Sequence, residues 1–136
     1  MTLPPPGSPP TRISDSDNAL RRVRTTDVRV DGAVKKQAFL PRKGGRDRDG
    51  LSVSIQREAL IEVHRMFFTA PGKRAAVVVV QAVRNLELDV VASATVEDPA
   101  HALIVGIPDR DTEPLQAERI AELLAHAAGP YEFPPA

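Results

Sequence analysis

Serines on a strand, three histidines and a crowd of arginines are the side chains of this chain with the chemistry to act on a ligand. Ser52 and Ser54 alternate within Leu51-Ser52-Val53-Ser54-Ile55-Gln56. In an extended strand both hydroxyls therefore leave from one side, opposite Leu51, Val53 and Ile55. A glycine-rich, basic stretch over 44–50 leads into this strand and ends in Asp49-Gly50. One buried face, two hydroxyls on the other and a cationic entry loop outline a binding site, and an ordinary hairpin has the same outline. Neither serine stands on a Gly-x-Ser-x-Gly elbow, so a hydrolase nucleophile is not the expectation.

His64, His101 and His126 include no pair at zinc-ligand or helical spacing, and no His-Glu-x-x-His occurs. No metal site is expected. His64 falls on the apolar stripe of a helix and reads as a core-edge histidine. His101 follows Asp98-Pro99 and begins a strand, where a side chain can reach a cleft. Work as a general base would need a nucleophile and an orienting carboxylate beside it. Cysteine is absent, which excludes disulfides, thiolate zinc sites, iron–sulfur clusters and cysteine nucleophiles. The acids have no context that marks a pair for sugar hydrolysis.

The loop contains two motif fragments, and both lack their key charges. Gly45 and Gly50 have phosphate-loop spacing, but Leu51 stands where the lysine belongs and a strand follows instead of a helix. Asp47-x-Asp49-Gly50 has calcium-loop character, but Gly45 and Gln56 occupy the first and closing ligand positions.

Eighteen basic and eighteen acidic residues balance to zero, yet they are segregated. Residues 21–48 carry a local excess of seven positive charges and residues 85–136 an excess of eight negative ones. Such a split marks either an anion-binding edge or two segments that pair within one fold, and pairing or plain solvation is the favoured expectation. The anion-binding alternative points to Arg21, Arg22, Arg42, Lys43, Arg46 and Arg48, with a protein or an anionic small molecule as partner. Sequence-specific nucleic acid is not the expected partner, because the late helix carries Glu118 and Glu122. Aromatic residues make up only 4% of the chain, too few for stacking platforms. The longest apolar run, 75–80, is far too short to span a membrane, and the N-terminus does not read as a secretory signal. The expectation is a cytoplasmic protein, with its oligomeric state unread.

These groups must be positioned by a single domain over 14–130, between a disordered proline-rich tail at 1–13 and a loose end at 131–136 where Tyr131 and Phe133 can dock. Asp15, Ser16 and Asp17 either cap a helical turn or lead into a first strand at 18–23. Thr26 to Val30 alternates as an edge strand, Asp31-Gly32 turns, and 33–40 returns. A helix over 57–68 is expected to bury Leu60, Val63, His64 and Phe67. Ala75 to Gln81 reads as a fully buried central strand, followed by a helical turn over 82–88. Val90 to Val96 and Ala102 to Ile107 form a hairpin. A last helix is capped by Thr112 or Glu113, started by Pro114 and stopped by Gly129-Pro130, with Ala117, Ile120, Ala121, Leu124 and Ala128 as its buried stripe. The fold class is α+β: a mostly antiparallel sheet of four to six strands, covered on one face by two main helices.

The run Leu20-Arg21-Arg22-Val23, Gln37-Ala38-Phe39, Gly50-Leu51-Ser52-Val53-Ser54 and Pro99-Ala100-His101-Ala102 resembles a pattern in short bacterial proteins. That resemblance covers nearly the whole ordered region and implies a recurring small bacterial domain without a particular chemistry. A second resemblance is to ADP-ribosyltransferases, which place an Arg or His on an early strand, then a Ser-x-Ser strand, a helix and later a catalytic Glu. Arg22, Ser52-Val53-Ser54 and the helix at 57–68 follow that order. The family's Glu-x-Glu or Gln-x-Glu is absent, leaving Glu97 and Glu87 as candidates. The resemblance implies an NAD pocket, with an arginine on the diphosphate and strand hydroxyls bracing the site.

Two functions follow. The leading expectation is a non-catalytic accessory or regulatory binding protein that uses loop 42–48 with Arg21 and Arg22 and needs no cofactor. The alternative is an NAD-processing enzyme that uses Arg22, Ser52, Ser54 and His101.

Overall fold

The computed structural model describes residues 13–44 and 46–134. The expected tail at 1–12, Gly45 of the loop motifs and the last two residues lie outside the described part. Six strands, β1 (Asn18–Arg24), β2 (Leu51–Ile55), β3 (Lys73–Val79), β4 (Asp89–Ala92), β5 (His101–Val105) and β6 (Gly129–Tyr131), form one sheet in the order β4-β5-β2-β1-β3-β6. Every neighbouring pair is antiparallel. Among the described residues three α-helices, α1 (Ile61–Phe68), α2 (Val80–Arg84) and α3 (Pro114–Ala127), complete the α+β fold.

The helices do not share a face of the sheet, which corrects the expectation of two helices over one side. Helix α3 contributes Ala121, Leu124 and Ala125 to a large core with Ala19, Val23, Leu51, Ile55, Val78 and Ile104. On the other face a small cluster gathers Leu20, Phe68 and Ala75, with Val77, Tyr131 and Phe133 packed against it. Strand alternation accounts for the division. In β1, Ala19 pairs with Ile55 and Val78, whereas Leu20 pairs with Ser54 and Val77. Successive residues belong to opposite faces. The serine face is thus roofed in part by α1.

That arrangement also turns α1. His64 and Phe68 are its buried residues, while Val63 and Phe67 are 43% and 51% exposed. The sheet beneath presents Arg22 and Ser52 instead of a continuous apolar floor, so the helix docks through Phe68 on Leu20 and Ala75 and leaves its other apolar side chains standing off. Strand β3 is internal, but Val77 is half-buried and Val79 exposed, because only the small cluster covers that side. The expected strand at 26–30 is a 3-10 turn, Thr25–Asp27, followed by a single bridge between Val28 and Val34. The Asp31-Gly32 turn is present between them, closed by Gly32 N–H donating to the Arg29 carbonyl at 2.9 Å.

Helix α3 has Pro114 in its first turn and Glu113 at the N-cap position, without a side-chain cap bond. Beyond it β6 pairs with β3, and Phe133 stacks on Phe68 with ring centroids 6.2 Å apart, so Tyr131 and Phe133 both dock. Ile13, placed by sequence in the N-terminal tail, is part of the large core. Its carbonyl accepts from Arg84 at 2.9 Å.

Gly50 fixes the junction of loop and β2. Its φ is +136°, and a Cβ there would sit 2.7 Å from the Ile104 carbonyl oxygen and 2.9 Å from Leu103 Cβ. Strand β2 can therefore approach β5 only with glycine at this position. Gly50→Ala is expected to cost about 3–5 kcal/mol by urea denaturation, combining backbone strain with overpacking. Gly72→Ala, at φ +77° with nothing within 4 Å of a Cβ, is expected to cost about 1–2 kcal/mol. Equal losses for the two variants would refute the close-approach argument.

Candidate functional site

Between α1 and the sheet lies a cavity of about 660 Å³. Its floor is the serine face: Leu20 and Arg22 of β1, Ser52 and Ser54 of β2, and His101 at the start of β5. These residues converge because the register sets Ser54 opposite both Leu20 and His101. Val63, Met66 and Phe67 of α1 form an apolar wall, and Thr95, Glu97 and Asp98 come from the loop between β4 and β5. Arg22, Ser52, Ser54 and His101, the set expected of an NAD-processing site, all line this space.

Arg22 lies with its guanidinium carbon 4.5 Å from the centroid of the Phe67 ring. Among the described residues no carboxylate is in ion-pair contact with it. Stacking orients the charge without neutralising it. His101 Nδ1 is 2.8 Å from the Ser93 carbonyl. A carbonyl can only accept, so Nδ1 carries the proton and Nε2 is left as the basic nitrogen.

Ser54 is buried, at 2% exposed, although the serine face lies opposite the apolar side of β2. Its Oγ donates to Asp98 Oδ2 at 2.6 Å and lies 3.3 Å from His64 Nδ1. With its only proton on Asp98, Ser54 can accept from His64, which sets the His64 proton on Nδ1. The serine stands between histidine and aspartate, whereas a nucleophilic triad needs the histidine in the middle. Ser54 is therefore a connector and no nucleophile. His64 Nε2 is buried and has no hydrogen-bond partner among the described residues. Sequence reading assigned His64 to the core edge and Asp98 to a turn. Their contact to Ser54 spans 10 and 44 residues, so no local spacing reveals it.

The basic loop is organised differently. Arg42 donates from Nη2 to Asp47 Oδ1 at 3.0 Å and from its backbone N–H to Oδ2 at 2.7 Å. Burial pushes the Asp47 carboxyl up, but Arg42 together with the more distant Arg21 charge holds it below the usual carboxylate range. Arg48 donates to Asp109 at 2.7 Å, and Gly44 N–H donates to Asp111 at 3.0 Å. Arg21 is directed away from Arg22: it donates to the Ala38 and Ser52 carbonyls at 2.9 and 2.8 Å. Lys43 and Arg46 are exposed. The five arginines and one lysine singled out as one basic surface are thus divided among a half-buried tie, the cavity floor, two ion pairs and two exposed side chains. The recess beside Arg42 and Arg48 holds about 50 Å³, room for little more than a water.

Among the described residues no group of three or more potential ligands could hold a metal ion. No helix there is long and apolar enough to cross a membrane. Comparison with protein-family models, with curated proteins and with solved structures finds no match.

Burial, foremost, holds the His64 imidazole below its ordinary pKa of 6.5, while the Asp98 carboxylate and the Ile55 backbone pull the other way. The unfolded chain therefore takes up a proton near pH 6.5 that the folded protein resists, and stability falls as pH drops through that range. His64→Asn, which does not titrate, is expected to lose less stability than the natural protein between pH 7.5 and 5.5 in urea titrations. Identical pH dependence of the two proteins would overturn this assignment.

Proposed function

We propose that the cavity under α1 binds NAD or a related ADP-ribose-bearing nucleotide and promotes cleavage of the bond between nicotinamide and ribose. The observation that carries this reading is the convergence of Arg22, Ser52, Glu97 and His101 on one cavity, with Arg22, Ser52 and Glu97 in the chain order of the ADP-ribosyltransferase pattern. Of the two glutamates that pattern allows, Glu97 is among the lining residues and Glu87 is not. The volume falls within the usual range for small-molecule sites, about 300–1,000 Å³.

Each group then has a task. Arg22, charged and unpaired, takes the diphosphate. The apolar wall of Val63, Met66 and Phe67 receives the flat ring, and the exposed Ser52 hydroxyl braces the ribose or carboxamide. When the C1′–N bond breaks, its electron pair stays with the departing nicotinamide and positive charge develops on the ribose. The Glu97 carboxylate stabilises that charge. Oxygen of water or of an acceptor hydroxyl bonds to C1′ and loses its proton to His101 Nε2.

The non-catalytic reading, in which the basic loop docks a protein or an anionic partner, rests on the exposed Lys43 and Arg46. Thermal shift with NAD and ADP-ribose separates the two. At a hundredfold excess over Kd the ligand is expected to stabilise the natural protein by about 2.7 kcal/mol. Arg22→Ala should abolish that shift, and joint alanine replacement of Arg42, Lys43, Arg46 and Arg48 should leave it intact. Glu97→Gln should slow nicotinamide release by about 100-fold or more. No shift at millimolar ligand would reject the NAD reading.

A further inference from the structure

We infer that Asp98, Ser54 and His64 form a hydrogen-bond chain that positions the acidic loop 93–100 against helix α1, joining two walls of the cavity through its floor. The inference rests on the NAD reading only for its catalytic consequence; the chain itself is defined by the contacts.

The loop is organised around Asp98. Its backbone N–H donates to Thr95 Oγ1 at 3.0 Å, and its carbonyl accepts from Thr95 and His101 at 3.0 and 3.1 Å. Its Oδ1 accepts from Ala100 N–H at 2.9 Å. Only Oδ2 is left to reach outside the loop, and it goes to Ser54 at 2.6 Å, the short distance of a hydroxyl bonded to an ionised carboxylate. Glu97 and Val96 at the loop tip are exposed, and no such tie to them is found among the described residues. The place of the Glu97 carboxylate is therefore inherited from its neighbour.

On the far side of Ser54 the chain continues to His64, one of the two buried residues of α1. Because Ser54 has one proton and gives it to Asp98, its link to the helix requires a donor at the His64 Nδ1 position. Floor, roof and loop are then oriented together, as hydrogen-bonded chains are when every member has one available role. Asp98, Ser54 and His64 are positioning residues; none of them is assigned to touch the reacting atoms.

Three variants test the chain. Ser54→Ala cuts it at the centre, His64→Leu removes the donor, and His64→Asn keeps an amide donor near the Nδ1 position. Hydrogen exchange of the Ala100 and His101 amides, measured without ligand, is expected to speed up by about tenfold or more in Ser54→Ala and His64→Leu and to stay near the natural rate in His64→Asn. With NAD, the first two variants should lower kcat by about 10- to 100-fold with KM within about threefold, since a displaced group acts on the transition state. Unchanged exchange in Ser54→Ala, or equal effects of the Leu and Asn variants, would overturn the chain even in a protein that cleaves NAD. Failure of the natural protein to cleave NAD would reject the reading of the cavity, and the exchange measurements would still decide the chain.

Discussion

Antiparallel registry around β1 is the constraint from which the rest of the molecule follows. With β2 on one side and β3 on the other, each residue of β1 is committed to one face by its position in the strand. Ala19 and Val23 enter the large core under α3, and Leu20 enters the small cluster under α1. The adjacent Arg21 and Arg22 are separated by the same rule, one bonded to backbone carbonyls and the other stacked on an aromatic ring. A slip of one residue would exchange their roles and bury a charge without its partners, at a cost no local rearrangement recovers.

Part of the segregated charge of the sequence is paired across the fold. The basic loop is fastened to the segment before α3 through Arg48 with Asp109 and Gly44 with Asp111. Lys36 approaches Glu118 on α3 at 3.4 Å. Exposed pairs of this kind contribute little singly, about 0–1 kcal/mol, but they hold a glycine-rich stretch in one place. These cross-block pairs leave Arg22 in the cavity with no carboxylate in ion-pair contact among the described residues.

Much of the architecture was legible because hydrophobic period and helix punctuation agree with the fold. Leu51, Val53 and Ile55 are buried in β2, and Pro114 and Gly129 bracket α3. The segment at 18–23 stayed ambiguous because consecutive arginines hide a two-sided strand. The buried side of α1 is not encoded by period alone, which cannot tell apolar residues that meet a floor from those that face a void. Arg22, Ser52, Ser54 and His101 could be named one by one from sequence. Their sharing of a space with His64 and Asp98 depends on strand order, which pairs β2 with both β1 and β5. No spacing along the chain encodes that.

The unequal size of the two apolar clusters has a dynamic corollary. Lifting α1 disturbs the few contacts around Phe68, while the layer under α3 keeps its own burial. Local opening free energies follow the buried surface each unit contributes, so the molecule has a low-cost excursion in which the roof detaches and the body stays folded. Such an excursion would carry His64 away from Ser54 as well as Phe68 from Leu20, and would widen the cavity without disturbing the core under α3.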